Sequence, residues 1–406
     1  MFKLAYCGYP HTGGTHTVYQ RLREELAPHD IELRWVGLVN SDFELKDEFK
    51  NEEKFGDLLY VEPDSSQKSA INFVQHIDNK FDGVIFSVLA DRIQINSARY
   101  IPNRILKLQL VHSITPATYR AARAIRDYVH ATVGPSPRIT DDLVNKMNFL
   151  PDRVHNIPHA VNLSLFTKVC SERAKDSPLK LIYIGRIEDS SKGILWLPDI
   201  LQECLHRGIN VSLTVAGDGP DLSKLKLKIE QMELGKHTNF YGRVSSLDVP
   251  DLFASHHIFV MPSRYEGFCF SLIEAMASGC VPVGSRVSGV TDFIVSHGEN
   301  GFLFDIGNVK EAASFINRLR DKKLWQNLSH NARLVSQSRF NSQHQAQSYA
   351  SLIENLRQAS PNIAQPLSLD RWYFPARLKP SVSVYIPNNV KNVLRLWQER
   401  LTAKTK

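Results

Sequence analysis

Two doubly wound parallel sheets in one α/β chain are what this sequence predicts, and three observations carry the prediction. Short apolar segments alternate with amphipathic ones, which implies βαβ units. The alternation stops once, in a polar stretch without a period, and then restarts. The chain has 406 residues, enough for two such domains and additional segments.

Phe2–Gly8 is the first strand candidate, and Thr15–Ala27 is the helix after it. Ile31–Gly37, Phe81–Val88, Ile105–Ser113 and Ala131–Ser136 continue as strands, aliphatic or β-branched and bounded by Gly, Pro, Asp or Asn. Phe166–Pro178 (FTKVCSERAKDSP) is polar and reads as a linker. Strands resume at Leu179–Gly185, Val211–Gly217, Thr238–Gly242, Ile258–Pro262, Val281–Ser285 and Gly301–Asp305. Helices are expected over Ile194–Arg207, Asp221–Met232, Phe268–Ser278 (stopped by Gly279), Val309–Arg320 and His344–Leu356. Asp370–Pro380 is aromatic and basic, and Asn388–Ala403 is an amphipathic helix. The expected organisation is a first domain over 1–165, a linker over 166–178 and a second domain over 179–340. The helices and basic tail of 341–406 are expected to return to the first domain.

Composition narrows the class. Hydrophobic residues at 43% and charged residues at 22% exclude a disordered chain and a disulfide-stapled miniprotein. The five cysteines are odd in number and form no CxxC pair, which points to a reducing compartment and no structural zinc. Gly8, Pro10, Gly13 and Gly14 interrupt the start, so no secretory signal is expected, and the longest apolar stretches are too short to span a bilayer. A cytoplasmic location follows as the expectation. The net charge of +7 favours an anionic ligand or surface.

Open parallel sheets bind ligands at the carboxyl ends of their strands, and two sheets facing each other would share one cleft. Three loops at such ends carry candidate chemistry. Gly8–Thr15 places Gly13 and Gly14 before a helix, where backbone N–H groups can meet an anion; taken alone, a plain turn capped by Thr15 is the better reading. Gly185-Arg186 with Lys192-Gly193 offers a guanidinium fork and a point charge to a diphosphate, or else a solvated loop. The third loop runs from Ser263 through Glu266, Gly267, Phe268 and Cys269 into a helix that carries Glu274 among apolar neighbours. A carboxylate there needs a partner, and no Lys or Arg lies at i±3 or i±4, so vicinal sugar hydroxyls are the better fit.

EGFCFSLIEAMASG, preceded by FVMPS, resembles the E-x7-E signature of the retaining family-four glycosyltransferases of GT-B fold, with Glu266 and Glu274 at the matching spacing. The Gly-Arg…Lys-Gly pair, VAGDGP at 215–220, FYGRV at 240–244, Ser288-Gly289-Val290 and HGENG at 297–301 follow in the order of that family. The resemblance implies a hexosyltransferase that moves a sugar from a nucleotide-diphosphate donor to a saccharide or lipid-linked acceptor. The first domain would take the acceptor and the second the donor. Glu274 would hold the ribose hydroxyls, while Arg186 and Lys192 hold the diphosphate with Gly13, Gly14 and the N–H groups of Gly267, Phe268 and Cys269. Arg243 and Val244 would meet the base. Glu266 would sit near the donor sugar, and His112, at a strand end, would contact the transferred sugar; taken alone, His112 reads as a structural imidazole. Front-face attack is expected, with the departing phosphate taking the acceptor proton. No cofactor beyond the donor and no metal is expected: Asp141-Asp142 is adjacent and helical, not an Asp-x-Asp at a strand end. Where the family often shows Ile-Pro-Asn-Gly-Val-Asp, this chain has Ile157-Pro158-His159-Ala160-Val161-Asn162, which alters a turn.

Alternatives remain on the same architecture. A nucleotide-dependent oxidoreductase lacks its GxGxxG, and a phosphorylase lacks a recognisable cofactor lysine. A non-catalytic sugar-nucleotide binder or an epimerase shares most of the expected residues. The cations between Arg92 and Arg138, and those of the tail beside Trp372, Tyr373, Phe374 and Trp397, suit an anionic membrane surface. The reading the sequence favours there is a solvated basic helix and a tail packed on the first domain. No nucleic-acid motif accompanies these charges.

Overall fold

The computed structural model describes residues 1–404 apart from Thr12, Leu89, 171–176 and 380–387. The middle of the expected linker, Pro380 of the aromatic segment and Lys406 of the tail thus lie outside the described residues. The chain divides into two compact units. Unit 1 is Met1–His159 with the chain returning from Ser342; unit 2 is Ala160–Asn341 with the C-terminal helix.

Unit 1 holds strands β1 (Phe2–Cys7), β2 (Ile31–Val39), β3 (Gly56–Tyr60), β4 (Gly83–Ser87), β5 (Leu106–Leu110), β6 (Ala131–Gly134) and β7 (Val154–Asn156). They form one parallel sheet in the order β3-β2-β1-β4-β5-β6-β7. Helices α1 (Gly14–Leu26), α2 (Ser66–Lys80), α3 (Arg92–Ser97), α4 (Pro116–Ile125) and α5 (Pro137–Asn145) connect the strands. In α2, Ala70, Phe73, Val74 and Ile77 recur at helical spacing and are all buried, each worth roughly 1.5–3 kcal/mol for the larger side chains.

Unit 2 holds β8 (Leu179–Ile184), β9 (Val211–Ala216), β10 (Thr238–Gly242), β11 (Ile258–Met261), β12 (Val281–Ser285) and β13 (Phe302–Phe304). This second parallel sheet has the order β10-β9-β8-β11-β12-β13. Its helices are α6 (Asp189–Lys192), α7 (Trp196–His206), α8 (Leu222–Gln231), α9 (Val249–Ala254), α10 (Phe270–Ala277), α11 (Thr291–Ile294), α12 (Val309–Arg318) and α13 (Lys322–Arg339). The chain then returns to unit 1 as α14 (Ser342–Gln358) and ends in unit 2 as α15 (Asn388–Lys404). In both sheets the strand order reverses beside the first strand of the unit, between β1 and β4 and between β8 and β11. A crevice opens at such a reversal, because the two crossovers leave in opposite directions.

Several elements differ from the sequence reading. Strand β3 and helices α2 and α13 lie where none was predicted. In α13 the apolar residues Leu324, Trp325, Leu328 and Ala332 are thinned by Ser, Asn, Gln and His, which blurs the period. Helix α10 begins at Phe270, so Gly267 and Phe268 belong to the loop before it and Cys269 is its N-cap. At the start of the expected linker, Phe166 and Cys170 are buried while Thr167, Lys168 and Val169 between them are exposed.

The basic stretch of unit 1 is only partly a solvated face: Arg92 and Arg104 are exposed, but three of its cations are buried. Arg99, Lys107 and Arg138 are at most 4% exposed. Lys107 Nζ donates to Ile101 O (2.8 Å) and Asn103 Oδ1 (2.9 Å), and Arg138 Nε donates to Asp142 Oδ2 (2.9 Å). Arg120 donates to the carbonyls of Ala376 and Lys379, and Arg99 stacks over the Tyr373 ring at 4.5 Å. Trp372 packs on Tyr100 with ring centroids 4.7 Å apart, and its Nε1 donates to Ser66 Oγ (3.1 Å). Arg99, Arg120 and Trp372 hold the returning chain to the rest of unit 1, while Lys107 and Arg138 are partnered locally, since a buried charge needs hydrogen-bond partners wherever it lies.

Candidate active site

In unit 2 the loops after β8 and β11 meet at the strand-order reversal. Gly193 closes α6 in the left-handed conformation (φ 61°), and a Cβ there would come within 2.1 Å of Pro262 O. Only glycine allows that approach, which brings the end of α6 against the end of β11. The contact is stitched further. Arg264 N–H donates to Ser191 O (2.7 Å), and the Arg264 guanidinium donates to Asp189 O (2.8 Å) and Asp189 Oδ2 (2.7 Å) while lying 3.8 Å over the Trp196 ring.

The result is that Lys192 and Glu266, 74 positions apart, touch. Lys192 Nζ donates to both carboxylate oxygens of Glu266, at 2.7 and 2.9 Å. The buried Ser263 hydroxyl donates to Glu266 Oε1 at 2.7 Å. Burial alone would lower the Lys192 pKa, but the Glu266 charge beside it reverses this and holds it above the ordinary lysine value. Lys192 is therefore a cation at neutral pH, fixed in place yet 28% exposed at its side chain. Burial pushes the neighbouring Cys269 thiol up to about 12, so it is no thiolate nucleophile at neutral pH.

A second glycine contact shapes the turn that holds Arg186. Gly217 (φ 134°) lies so close to Gly185 O that a Cβ would sit 1.9 Å away, and Gly219 approaches Ile187 O in the same way. The Val215–Pro220 motif thus has a steric reason: two backbones pass at contact distance. The Arg186 side chain is 67% exposed, with Nη2 3.9 Å from Glu188 Oε1. Arg243 is exposed and its Nε donates to Asp218 Oδ2 (3.1 Å), whereas Val244 is half-buried against the unit 2 core. Glu274 lies on the half-exposed stripe of α10 with Phe270 and Ser271, while Leu272, Ile273, Ala275 and Met276 take the buried side. Its carboxylate is therefore not enclosed by those apolar neighbours, as their adjacency in sequence suggested.

In unit 1, Gly13 is the N-cap of α1 and Gly14 its first residue, and no side chain caps this end. His11 Nε2 shares a hydrogen with Thr15 Oγ1 at 2.8 Å. His112 follows β5 and stacks on His159, ring centroids 5.3 Å apart, with Nδ1 3.2 Å from His159 Nε2. Burial lowers the His112 pKa to about 4, and it lowers that of His159 as well, so both are neutral imidazoles. His159 is one of the residues that depart from the family turn, and its partnership with His112 could not be read from a separation of 47 positions. Ser263, Arg264 and Asp189 were likewise without an assigned role; the one sequence signal for them is their place just past a strand end. Around β1, β2 and β4, a cavity of about 890 Å³ is lined by Tyr9, His16, Trp35, Phe43, Asp91 and Gln94 among others.

Residues 168–335 match the model of the family described as glycosyl transferases group 1. Among curated relatives, an alpha-D-kanosaminyltransferase of Streptomyces kanamyceticus is 24% identical over 265 residues, 61% of this chain and 67% of that protein. A GDP-mannose-dependent alpha-mannosyltransferase of Corynebacterium glutamicum is 32% identical over 133 residues, 32% of this chain and 28% of that protein. An N-acetyl-alpha-D-glucosaminyl L-malate synthase of Bacillus anthracis is 27% identical over 145 residues, 36% of this chain and 37% of that protein. The chain thus matches about a third of the length of the latter two relatives. Among solved structures, Anabaena HepE in complex with UDP aligns with TM-score 0.73 at 19% identity over 88% of this chain and 100% of that one. Sucrose-phosphate synthase of Thermosynechococcus elongatus aligns with TM-score 0.72 at 18% identity over 89% of this chain and 100% of that one. The motifs from Gly185 to Gly301, the two sheets and these likenesses agree: residues 168–335 match the glycosyl transferases group 1 model, and the chain has the GT-B fold of its structural neighbours.

Proposed function

We propose that this protein transfers a hexose from a nucleotide-diphosphate sugar to a hydroxyl of a saccharide or lipid-linked acceptor, with retention of configuration and without a divalent metal. The observation that carries the proposal is the Lys192–Glu266 pair, held at the strand-order reversal of the unit that matches the family. A departing diphosphate gains negative charge as the anomeric carbon gains positive charge. Lys192, fixed as a cation, answers the first; Arg186, long and exposed, has the reach and the fork to join it. Glu266 answers the second, since its Oε2 accepts only from Lys192 and retains a lone pair, whereas Oε1 accepts from both Lys192 and Ser263.

In this reading the acceptor oxygen attacks the anomeric carbon on the face the diphosphate leaves. The anomeric C–O bond to the phosphate breaks, the new C–O bond forms, and the acceptor proton passes to the leaving phosphate oxygen. Glu274 holds the ribose hydroxyls, and the backbone at Arg243–Val244 meets the base. UDP is bound in the HepE structure and GDP-mannose is named for the Corynebacterium relative, so the shared chemistry is the diphosphate, not one base. The cavity of unit 1, with aromatic faces and hydrogen-bonding groups together, suits the acceptor saccharide.

A thermal-shift panel of UDP-, GDP- and ADP-sugars tests donor binding, because a ligand at 100 times its Kd adds about 2.7 kcal/mol to the native state. One nucleotide class should raise the midpoint by several degrees, and turnover of that donor should survive excess EDTA. A panel without any shift, together with full turnover in Lys192→Ala and Glu266→Gln, would overturn the assignment.

A further inference from the structure

Helix α15 turns its apolar stripe away from the unit it packs on. Val393, Leu394 and Trp397 are 55%, 62% and 65% exposed, and Val390 and Leu401 extend the stripe by a turn at each end. Positions 390, 393, 394, 397 and 401 fall within one narrow arc of a 3.6-residue helix. The flank at Arg400 and the opposite side make the attachment. Leu396 packs against Val287, Val290 and Ile306, Arg400 Nε donates to Ile306 O (3.1 Å), and Arg395 lies 4.2 Å over the Tyr265 ring. The helix is thus anchored by one face while its most apolar face meets solvent.

Charge decides what covers that face. Lys391 borders the stripe on one side and Arg400 on the other. The helix has a single acid, Glu399, which is 4% exposed and lies on the attached side. A second copy laid along the stripe would set cation against cation with no acid between them. An anionic lipid surface meets both demands: the apolar centre enters the headgroup boundary, a tryptophan sits at the depth it prefers, and the flanking cations reach phosphates. No helix among the described residues is long and apolar enough to cross a membrane, so contact would lie in the plane of the surface.

We propose that α15 docks unit 2 on an anionic lipid surface. The docking places that surface beside the candidate site, because α15 packs on α6, which ends in Lys192, and its Arg395 covers Tyr265, the residue before Glu266. The proposal does not depend on the donor chemistry.

Flotation of the full chain tests it, with vesicles of phosphatidylcholine alone and with about a third phosphatidylglycerol. The chain should float with the anionic vesicles at low salt, and at least ten-fold less with neutral ones or at high salt. Leu394→Glu/Trp397→Glu should cut flotation at least ten-fold while its melting midpoint and its turnover of a water-soluble acceptor stay those of the parent. Equal flotation of parent and variant, or none for the parent, overturns the proposal. So does a concentration-dependent dimer that the variant dissolves, which would give the stripe to a second copy. Flotation without any donor turnover would instead count against the glycosyl-transfer reading alone.

Discussion

The Lys192 ammonium spans both oxygens of the Glu266 carboxylate at 2.7 and 2.9 Å, and Glu266 is only 5% exposed. Removing one partner leaves the other charge buried without compensation, at a cost of about 3–5 kcal/mol for a fully buried pair and less here because Lys192 keeps some solvent. Lys192→Ala should therefore lower the melting midpoint by about 5 °C and Glu266→Gln by less, since the amide can still accept from Ser263. Turnover should fall by about 10²–10³ in both, the size seen when one preorganised group facing developing charge is lost. Scanning calorimetry and initial rates check the two halves separately.

Gly193→Ala should disrupt the same pair from the backbone. Its φ of 61° and the 2.1 Å approach to Pro262 O leave no room for a methyl group. The left-handed conformation alone costs about 1–2 kcal/mol, and relief of the clash must move either Lys192 or the strand end. The expected outcome is a lower midpoint with donor KM raised at least several-fold, read by thermal shift with and without the nucleotide sugar.

Arg264→Lys should fail as a conservative change. The guanidinium bonds Asp189 twice and covers Trp196 at once, which an ammonium cannot do. A loss of about 1–3 kcal/mol is expected, because hydrogen bonds to charged groups fall in that range. If the loop merely fills space, kcat and KM will both stay at parent values; if it positions Glu266, kcat will drop while the protein remains folded by circular dichroism.

The His112–His159 stack makes stability fall with acid. His112 titrates near 4 when folded and near 6.5 when unfolded, so below about 6.5 the unfolded chain takes up protons that the native site refuses. Its contribution is intact above about pH 6.5 and declines as pH falls toward 4, by at most about 3 kcal/mol. Urea unfolding at a series of pH values should show this slope, and it should be shallower in His112→Asn/His159→Asn.

The strand alternation and glycine punctuation were legible because each strand is a short, nearly continuous apolar run, as sheets covered on both faces require. Phe2–Cys7, Val211–Ala216 and Val281–Ser285 illustrate this, and all but the edges of these strands were placed from pattern alone. Helix α13 escaped because its apolar positions are sparse among Ser, Asn, Gln and His, so the segment reads as polar although its apolar residues share one face. Glu266 stood out through its spacing to Glu274, but its partner did not, because no pattern in one dimension joins positions 192 and 266.

The sequence by itself determined the two-sheet architecture, the family resemblance of residues 168–335 and the short list of polar residues at strand ends. Period, glycine positions and residue order are local properties, and those features depend on nothing else. Only the tertiary structure decided which charges pair, which cations of unit 1 are buried as struts, and which face of α15 is left to solvent. Those outcomes rest on contacts between segments far apart in the chain, where close packing at Gly193 and Gly217 fixes what each side chain can reach.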